Sequence, residues 1–364
     1  MPFLKKTSAR RRRKSGNRLA VFVFIVVLGG LGWLWWQEKH PKKPARHQPA
    51  VTVPAVVSVP VEKPNPKPLV IAPPAPADFP RPVRDVLEAQ IALARRAISP
   101  GSIDSAIGSQ TRAAIAAFQR SQKLFETASL DTNTRPLLTL AAPVLTNYVV
   151  TTNDLTRLQP LGKTWLAKSE QSALDYETIL ELVAEKAHSH PLLIQKLNPD
   201  VNWSNVTAGT VLKIPDLNYP EPADKAAFVI IHLSEKFLEA FDADTNLLLH
   251  CPCSIAAKVE KRPVGELRVK AIAWPANYTF DPAVFPESPE AQAIGHKLIL
   301  PPGPNNPVGV AWISLDKPGY GIHGTPAPEQ VGRTESHGCF RLANWDAEYM
   351  VKLVWIGLPV EVVP

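Results

Sequence analysis

Thirteen of the 42 residues from Pro41 to Pro82 are proline, and no other feature limits the fold as much. Proline lacks the N–H that helix and sheet ladders require and locks its own φ. The segment 37–82 is therefore an extended, partly polyproline-like linker, on the order of 130 Å long at about 3.1 Å per residue. A chain of 364 residues interrupted in this way does not close into one globule. Whatever packs must lie beyond it, where a hydrophobic share of 45% against 20% charged residues leaves room for real cores.

The net charge of +7 is misleading as a whole-chain figure. Lys5, Lys6, Arg10, Arg11, Arg12, Arg13, Lys14 and Arg18 place eight positive charges and no acid in residues 1–18, so the remainder carries a net −1. Nothing beyond residue 18 argues for a nucleic-acid partner. Leu19 to Trp36 is uncharged over 18 residues, about 27 Å of helix against about 30 Å of hydrocarbon. Trp33, Trp35 and Trp36 gather at its far end, where an aromatic belt belongs, and the basic block before it places the start of the chain in the cytoplasm. The expectation is a transmembrane helix over 19–36, anchored in the inner membrane, with everything after it outside; a cleaved secretory signal is the alternative.

Two small modules follow the linker. Val86, Leu87, Ile91, Ala94 and Ile98 recur at helical spacing, Ser99-Pro100-Gly101 breaks the pattern, and Gln110 to Ser121 resumes it with Ala114, Ile115 and Phe118 on one face. A third short helix is expected from Asp131 or Thr132. The Ile103-Asp104 turn, Gly108, Thr111 and Phe118-Gln119 fall in an order that resembles the peptidoglycan-binding-like three-helix domain, assigned to 83–142 as an all-α unit. Residues 147–217 read as strand, two helices and strand: Tyr148-Val149-Val150, Tyr176 to Ala187, Pro191 to Leu197, and Gly209 to Pro215. Leu197-Asn198-Pro199 and Gly209-Thr210-Val211-Leu212-Lys213-Ile214-Pro215 are similar to a LysM domain. The family's Gly-Asp-Thr is replaced by Asn153-Asp154-Leu155, and Thr156 to Asp175 is longer than usual. Either module is a candidate glycan binder, and the second is equally readable as a spacer.

From residue 224 onward short apolar runs alternate with Pro- and Gly-rich turns: Phe228 to Ile231, Phe237 to Phe241, Leu247 to Leu249, Leu267 to Ala271, Lys297 to Leu300, Ala311 to Leu315 and Val360 to Val363. A mainly-β sandwich or partly open barrel is expected, with one helix over Trp345 to Val354 capped by Asn344. Cys251, Cys253 and Cys339 are the only cysteines, too few for a disulfide scaffold or a paired-cysteine zinc site. Cys251-Pro252-Cys253 reads as two buried thiols.

Gly321-Ile322-His323-Gly324-Thr325 precedes Ser336-His337-Gly338-Cys339-Phe340-Arg341, with Cys339 16 residues after His323. A thiol is mostly protonated at neutral pH, and a positioned imidazole is the usual means of ionising it. His323 comes from a separate segment and is favoured as base; His337, two residues from the thiol, shapes the site. A buried structural cysteine beside turn-forming histidines, or a zinc site from His323, His337 and Cys339, are the competing readings. Gly338 leaves room for a carbonyl beside backbone N–H donors, and Arg341 offers a fork for a carboxylate.

This segment resembles the L,D-transpeptidase (YkuD-type) catalytic domain, through His323-Gly324-Thr325, Ser336 through Arg341, Leu300 to Gly309, and Arg262-Pro263-Val264-Gly265-Glu266-Leu267, where the family usually has Thr at the place of Arg262. The resemblance spans 224–364 and implies a β-sandwich with Cys339 at the end of a groove. It implies that Cys339 attacks the carbonyl between a diamino acid and D-Ala in a peptidoglycan stem peptide, with His323 as base, Gly338 at the oxyanion and Gly324 orienting the base through its carbonyl. Ser336, Thr325 and Arg341 are the expected substrate contacts. No metal or other cofactor is called for. Transfer to another stem gives a 3→3 crosslink, transfer to a protein amine a wall attachment, and water an L,D-carboxypeptidase; a noncatalytic wall-tethering protein is the reading from another class. All place the protein in the bacterial envelope, with the catalytic part periplasmic.

Overall fold

The computed structural model describes residues 79–336 and 338–364. The basic segment 1–18, the expected span 19–36, the linker as far as residue 78, and His337 lie outside the described residues. Among the described residues no helix is long and apolar enough to cross a membrane.

The first module contains β1 (Arg81–Pro82), α1 (Val86–Ala94), α2 (Ser109–Ser121), α3 (Thr134–Leu137) and β2 (Thr139–Leu140). Asp85 caps α1, its carboxylate accepting the Glu88 N–H at 2.9 Å. The all-α expectation needs correction, because β1 and β2 pair antiparallel, Arg81 opposite Leu140. The module therefore begins inside the segment assigned to the linker: Pro82 donates nothing, but Val83 N–H reaches Leu138 O at 3.1 Å and secures the entry. Two buried glutamines account for the motif. Gln90 Nε2 donates to Asp104 Oδ1 (2.9 Å) and Thr111 Oγ1 (3.0 Å), tying the turn to α2, and Gln119 Nε2 donates to Thr134 Oγ1 (2.7 Å), tying α2 to α3.

The second module runs through β3 (Leu145–Val149), α4 (Thr152–Thr156), α5 (Trp165–Ser169), α6 (Ile179–Lys186), α7 (Pro191–Leu197) and β4 (Val211–Pro215). β3 and β4 pair antiparallel, Leu145 opposite Pro215 and Val149 opposite Val211. Asn198 explains the Leu-Asn-Pro signature: its amide donates to Ile194 O and Lys213 O, both at 2.8 Å, and accepts Lys213 N–H at 2.7 Å, fastening α7 to β4. The long segment between α4 and α6 forms α5, whose Trp165 stacks on Phe280 of the following domain, centroids 4.5 Å apart. Leu174, Phe280, Ala291, Leu298 and Leu300 share one buried cluster there. A free spacer is thus not what forms, because the extra residues supply an apolar face that only the neighbouring domain covers.

The last domain comprises β5 (Phe228–His232), β6 (Phe237–Phe241), β7 (Leu247–Pro252), β8 (Gly265–Ala273), β9 (Tyr278–Phe280), α8 (Pro289–Ile294), β10 (Leu298–Leu300), β11 (Trp312–Leu315), β12 (Gly321–His323), β13 (Phe340–Arg341), α9 (Asn344–Leu353) and β14 (Pro359–Val363). Eight strands form one mixed sheet in the order β13-β12-β11-β8-β14-β5-β6-β7. The domain is mainly β, as expected, and its strands join in this continuous sheet. β8 is long enough to serve both halves: Gly265 to Arg268 pair with β14, and Val269 to Ala273 with β11. Val229, Ile231, Leu238 and Leu249 from one half, Ile313, Ile322 and Phe340 from the other, and Met350 and Leu353 of α9 share one core. Cys251 and Cys253 are free thiols buried in it.

Candidate active site

β12 and β13 run parallel, with Ile322 beside Phe340 and His323 beside Arg341. Alternation along a strand sends Ile322 and Phe340, both essentially inaccessible, into the core, so His323 and Arg341 share the opposite face. Cys339, one residue before β13, stands beside Gly321: the Gly321 N–H donates to its sulfur, and Sγ donates to Gly319 O at 3.4 Å. Two segments distant in sequence therefore bring a part-exposed thiol and an imidazole to one sheet face. Gly321 cannot carry a side chain there, because a Cβ would lie 2.7 Å from the Trp312 ring and 2.9 Å from Ile313 O.

The imidazole is oriented by backbone. His323 Nδ1 lies 2.6 Å from Gly324 O, which makes Nδ1 the protonated nitrogen and Nε2 the basic one. Trp312, opposite His323 on β11, stacks on the ring with centroids 5.5 Å apart. Among the described residues Nε2 has no hydrogen-bond partner.

The YkuD L,D-transpeptidase catalytic-domain profile matches residues 226–362, and a peptidoglycan binding domain profile matches 83–138. Residues 226–362 are similar over their length to an L,D-transpeptidase catalytic domain. The probable L,D-transpeptidase YbiS of Escherichia coli K12 is 30% identical over 171 residues, 46% of this chain and 54% of that protein. YkuD of Bacillus licheniformis, also named as an L,D-transpeptidase, is 26% identical over 188 residues, 52% of this chain and 94% of that protein. The chain thus spans about half the length of the first relative and nearly all of the second. The crystal structure of L,D-transpeptidase 3 from Mycobacterium tuberculosis is 18% identical, covering 44% of this chain and 77% of that one, with a TM-score of 0.31. A match to an L,D-transpeptidase catalytic domain thus follows a match to a peptidoglycan binding domain along the chain.

Electrostatics in the transpeptidase domain keep the resting pair neutral. Burial pushes the Cys339 thiol above its ordinary range, opposed by the Gly321 N–H and the Arg341 charge. Burial also lowers His323 to about 4, with the Gly324 carbonyl opposing and Arg341 adding to the depression. A resting thiolate–imidazolium pair is therefore disfavoured, and proton transfer belongs to the attack itself.

The expected substrate contacts are placed differently. Thr325 is 4% exposed, its N–H bound to Asn344 Oδ1 at 3.0 Å and its hydroxyl accepting Ala327 N–H at 3.4 Å. Ser336 Oγ donates to Cys339 O at 2.5 Å and accepts Gly338 N–H at 3.2 Å. Both hydroxyls are occupied in closing the turns that carry His323 and Cys339. Arg341 binds Glu335 O and approaches Thr334 Oγ1 at 3.5 Å, so it braces the loop leading to Cys339.

Asn344 is also a correction. It is the first residue of α9, not its cap, and no side chain caps that helix. Its Oδ1 accepts Thr325 N–H and Val310 N–H (3.3 Å), fixing the loop directly after His323. Gly309 and Gly324 both press against this oxygen, and a Cβ at either would collide with it. In the sequence Trp312 falls in an expected strand and Gly321 heads the His323 motif, and neither is assigned to the site; their service to it depends on register.

Proposed function

We propose that Cys339 is the acylating nucleophile of a wall-crosslinking enzyme and His323 its base. On binding of a stem tetrapeptide, Nε2 takes the thiol proton as sulfur attacks the carbonyl between the diamino acid and D-Ala. The backbone N–H of Cys339 receives the oxyanion. The C–N bond breaks, the proton passes from Nε2 to the departing D-Ala amine, and a thioester remains. The amine of a second stem then attacks the thioester; His323 takes a proton from it and returns it to the sulfur, giving a 3→3 crosslink. His337 borders this turn in sequence and is assigned to shaping it. Gly338 leaves the approach to the sulfur open, since a Cβ there would meet nothing nearer than Tyr320 at 4.0 Å.

The observation that carries this reading is the hydrogen bond from His323 Nδ1 to Gly324 O, on the face shared with Cys339. It leaves Nε2 as the nitrogen able to accept a proton. An inner-membrane anchor in residues 19–36, glycan binding by the two front modules and a periplasmic catalytic domain belong to the same reading. The LysM-like fold of the second module is supported by its β3–β4 pair enclosing α6 and α7.

Incubation of the chain with tetrapeptide muropeptides, read by mass spectrometry, tests it. Release of D-Ala with a crosslinked dimer, both lost in Cys339→Ala, is expected; free tripeptide alone makes the enzyme a carboxypeptidase. Undiminished D-Ala release by Cys339→Ala overturns the assignment.

A further inference from the structure

The second module reaches the loop after His323 through one part-buried carboxylate. Glu185 lies in the last turn of α6, outside the transpeptidase domain. Its Oε1 and Oε2 accept from Asn344 Nδ2 at 3.1 and 3.0 Å, and Oε1 also accepts the Tyr176 hydroxyl at 3.1 Å. Asn344 Nδ2 additionally donates to Pro304 O at 3.2 Å. With its amide nitrogen held by these oxygens, the other end of Asn344 must present Oδ1, and Oδ1 is what holds Thr325 N–H and Val310 N–H. An unconstrained amide can flip, and a flipped Asn344 would oppose two N–H donors with its own. Thr325 follows Gly324, whose carbonyl sets the His323 tautomer.

The same contact region is reinforced beside Glu185. Asn305 Nδ2 donates to Asp175 O (3.1 Å) and Glu181 Oε1 (2.5 Å), and Asn305 N–H donates to Leu174 O at 2.9 Å. Leu174 N–H returns a bond to Pro302 O at 3.0 Å. The module is thus fastened to the 301–310 segment that, with Gly309, encloses Asn344.

We propose that Glu185 is a positioning residue for catalysis, supplied by the LysM-like module, which fixes the Asn344 amide and through it the Gly324 carbonyl that orients His323. The module is then a working part of the enzyme and not only an attachment to the wall. This rests on His323 serving as the base, as proposed above.

A reciprocal exchange in the full chain tests it. Glu185→Gln replaces one of the two oxygens that accept from Asn344 Nδ2 with a donor, and Asn344→Asp replaces that donor with an acceptor, whereas the double variant restores a match with the roles reversed, the new amide at position 185 donating to the new carboxylate at position 344. Rates of D-Ala release are divided by the number of sites titrated with a carbapenem, so that only folded protein counts. Each single change is expected to lower kcat by about tenfold, with KM within about twofold, because small errors in orienting a base are amplified in rate. The double variant is expected to exceed Asn344→Asp at least fivefold. Nitrogen-15 histidine spectra give a second readout: His323 keeps the Nδ1–H form in wild type and loses its preference in the single variants. Should Asn344→Asp fail to fold, Glu185→Gln decides alone, by a fall in kcat without a matching fall in KM. Unchanged kcat per titrated site in the singles, or a double variant no faster than Asn344→Asp, overturns the proposal. Wild-type protein releasing no D-Ala would instead strike at the proposed function.

Discussion

At the residue scale, the low value of His323 has a consequence opposite to ordinary histidine behaviour. The imidazole must be neutral to accept the thiol proton, and burial holds it neutral down to about pH 4. In Glu185→Gln, which removes the titration of Glu185 near 7, we expect kcat/KM for D-Ala release to be level from pH 7 to pH 5 and to fall only as the pH approaches 4; an acid limb centred near pH 6.5 in that variant would show a solvated, ordinary histidine. Gly321 makes a second test. Gly321→Ala would drive a methyl against Trp312 and Ile313 O, displacing the indole that stacks on His323. Activity per folded molecule should fall at least tenfold, consistent with the cost of misplacing a catalytic group. Cys339 and His323 stand out in the linear chain because their spacing and glycine neighbours resemble a known motif. Asn344 was not, since its amide contacts residues 34 and 159 positions away in the sequence.

Among the elements, β8 and α5 decide the most. The strands from Phe228 to Val363 were visible as apolar runs bounded by Gly and Pro, but no pattern in β8 announces that its two halves pair with different neighbours. Short strands such as β12 and β13 escaped notice for the related reason that two or three residues carry no periodicity; they exist because β11 and the chain after β7 offer hydrogen-bond partners, as Ser254 and Arg341 do for each other at 2.9 and 3.0 Å. α5 looked like surplus length in the second module. Its Trp165 packs on Phe280 and Phe285, beside Tyr278, whose phenol is pushed up by burial and then by nearby Cys339. Trp165→Ala should therefore destabilise the protein by about 2 kcal/mol, the value of burying an aromatic face, seen as a lower melting temperature. It should also raise protease sensitivity in the 156–175 segment while leaving the first module intact.

On the scale of the whole molecule, the modules are joined by buried acids. Asp346 of α9 accepts the Ser99 hydroxyl of the first module at 3.1 Å and the Tyr219 hydroxyl at 2.6 Å. Burial raises its carboxyl to about 7, and burial likewise raises Glu185 to about 7. Both folded-state values lie above the unfolded ones, so the native protein holds extra protons: their stabilisation is complete below about pH 4 and is lost as the pH rises through 7. The melting temperature should decline between pH 5 and pH 8. Asp346→Asn, neutral throughout, should flatten that decline, leaving the part due to Glu185; an unchanged slope would remove Asp346 as a cause. What the sequence determined by itself was local: where proline forbids packing, where apolar periodicity builds helices and strands, and which cysteine and histidine share a chemical motif. These depend on residues close along the chain. The tertiary structure alone decided which strand face holds Cys339 and His323, which amide locks the loop after His323, and that a module equally readable as a spacer packs against the last domain. Register, burial and contacts between distant segments set those outcomes, and none is encoded in the spacing of neighbouring residues.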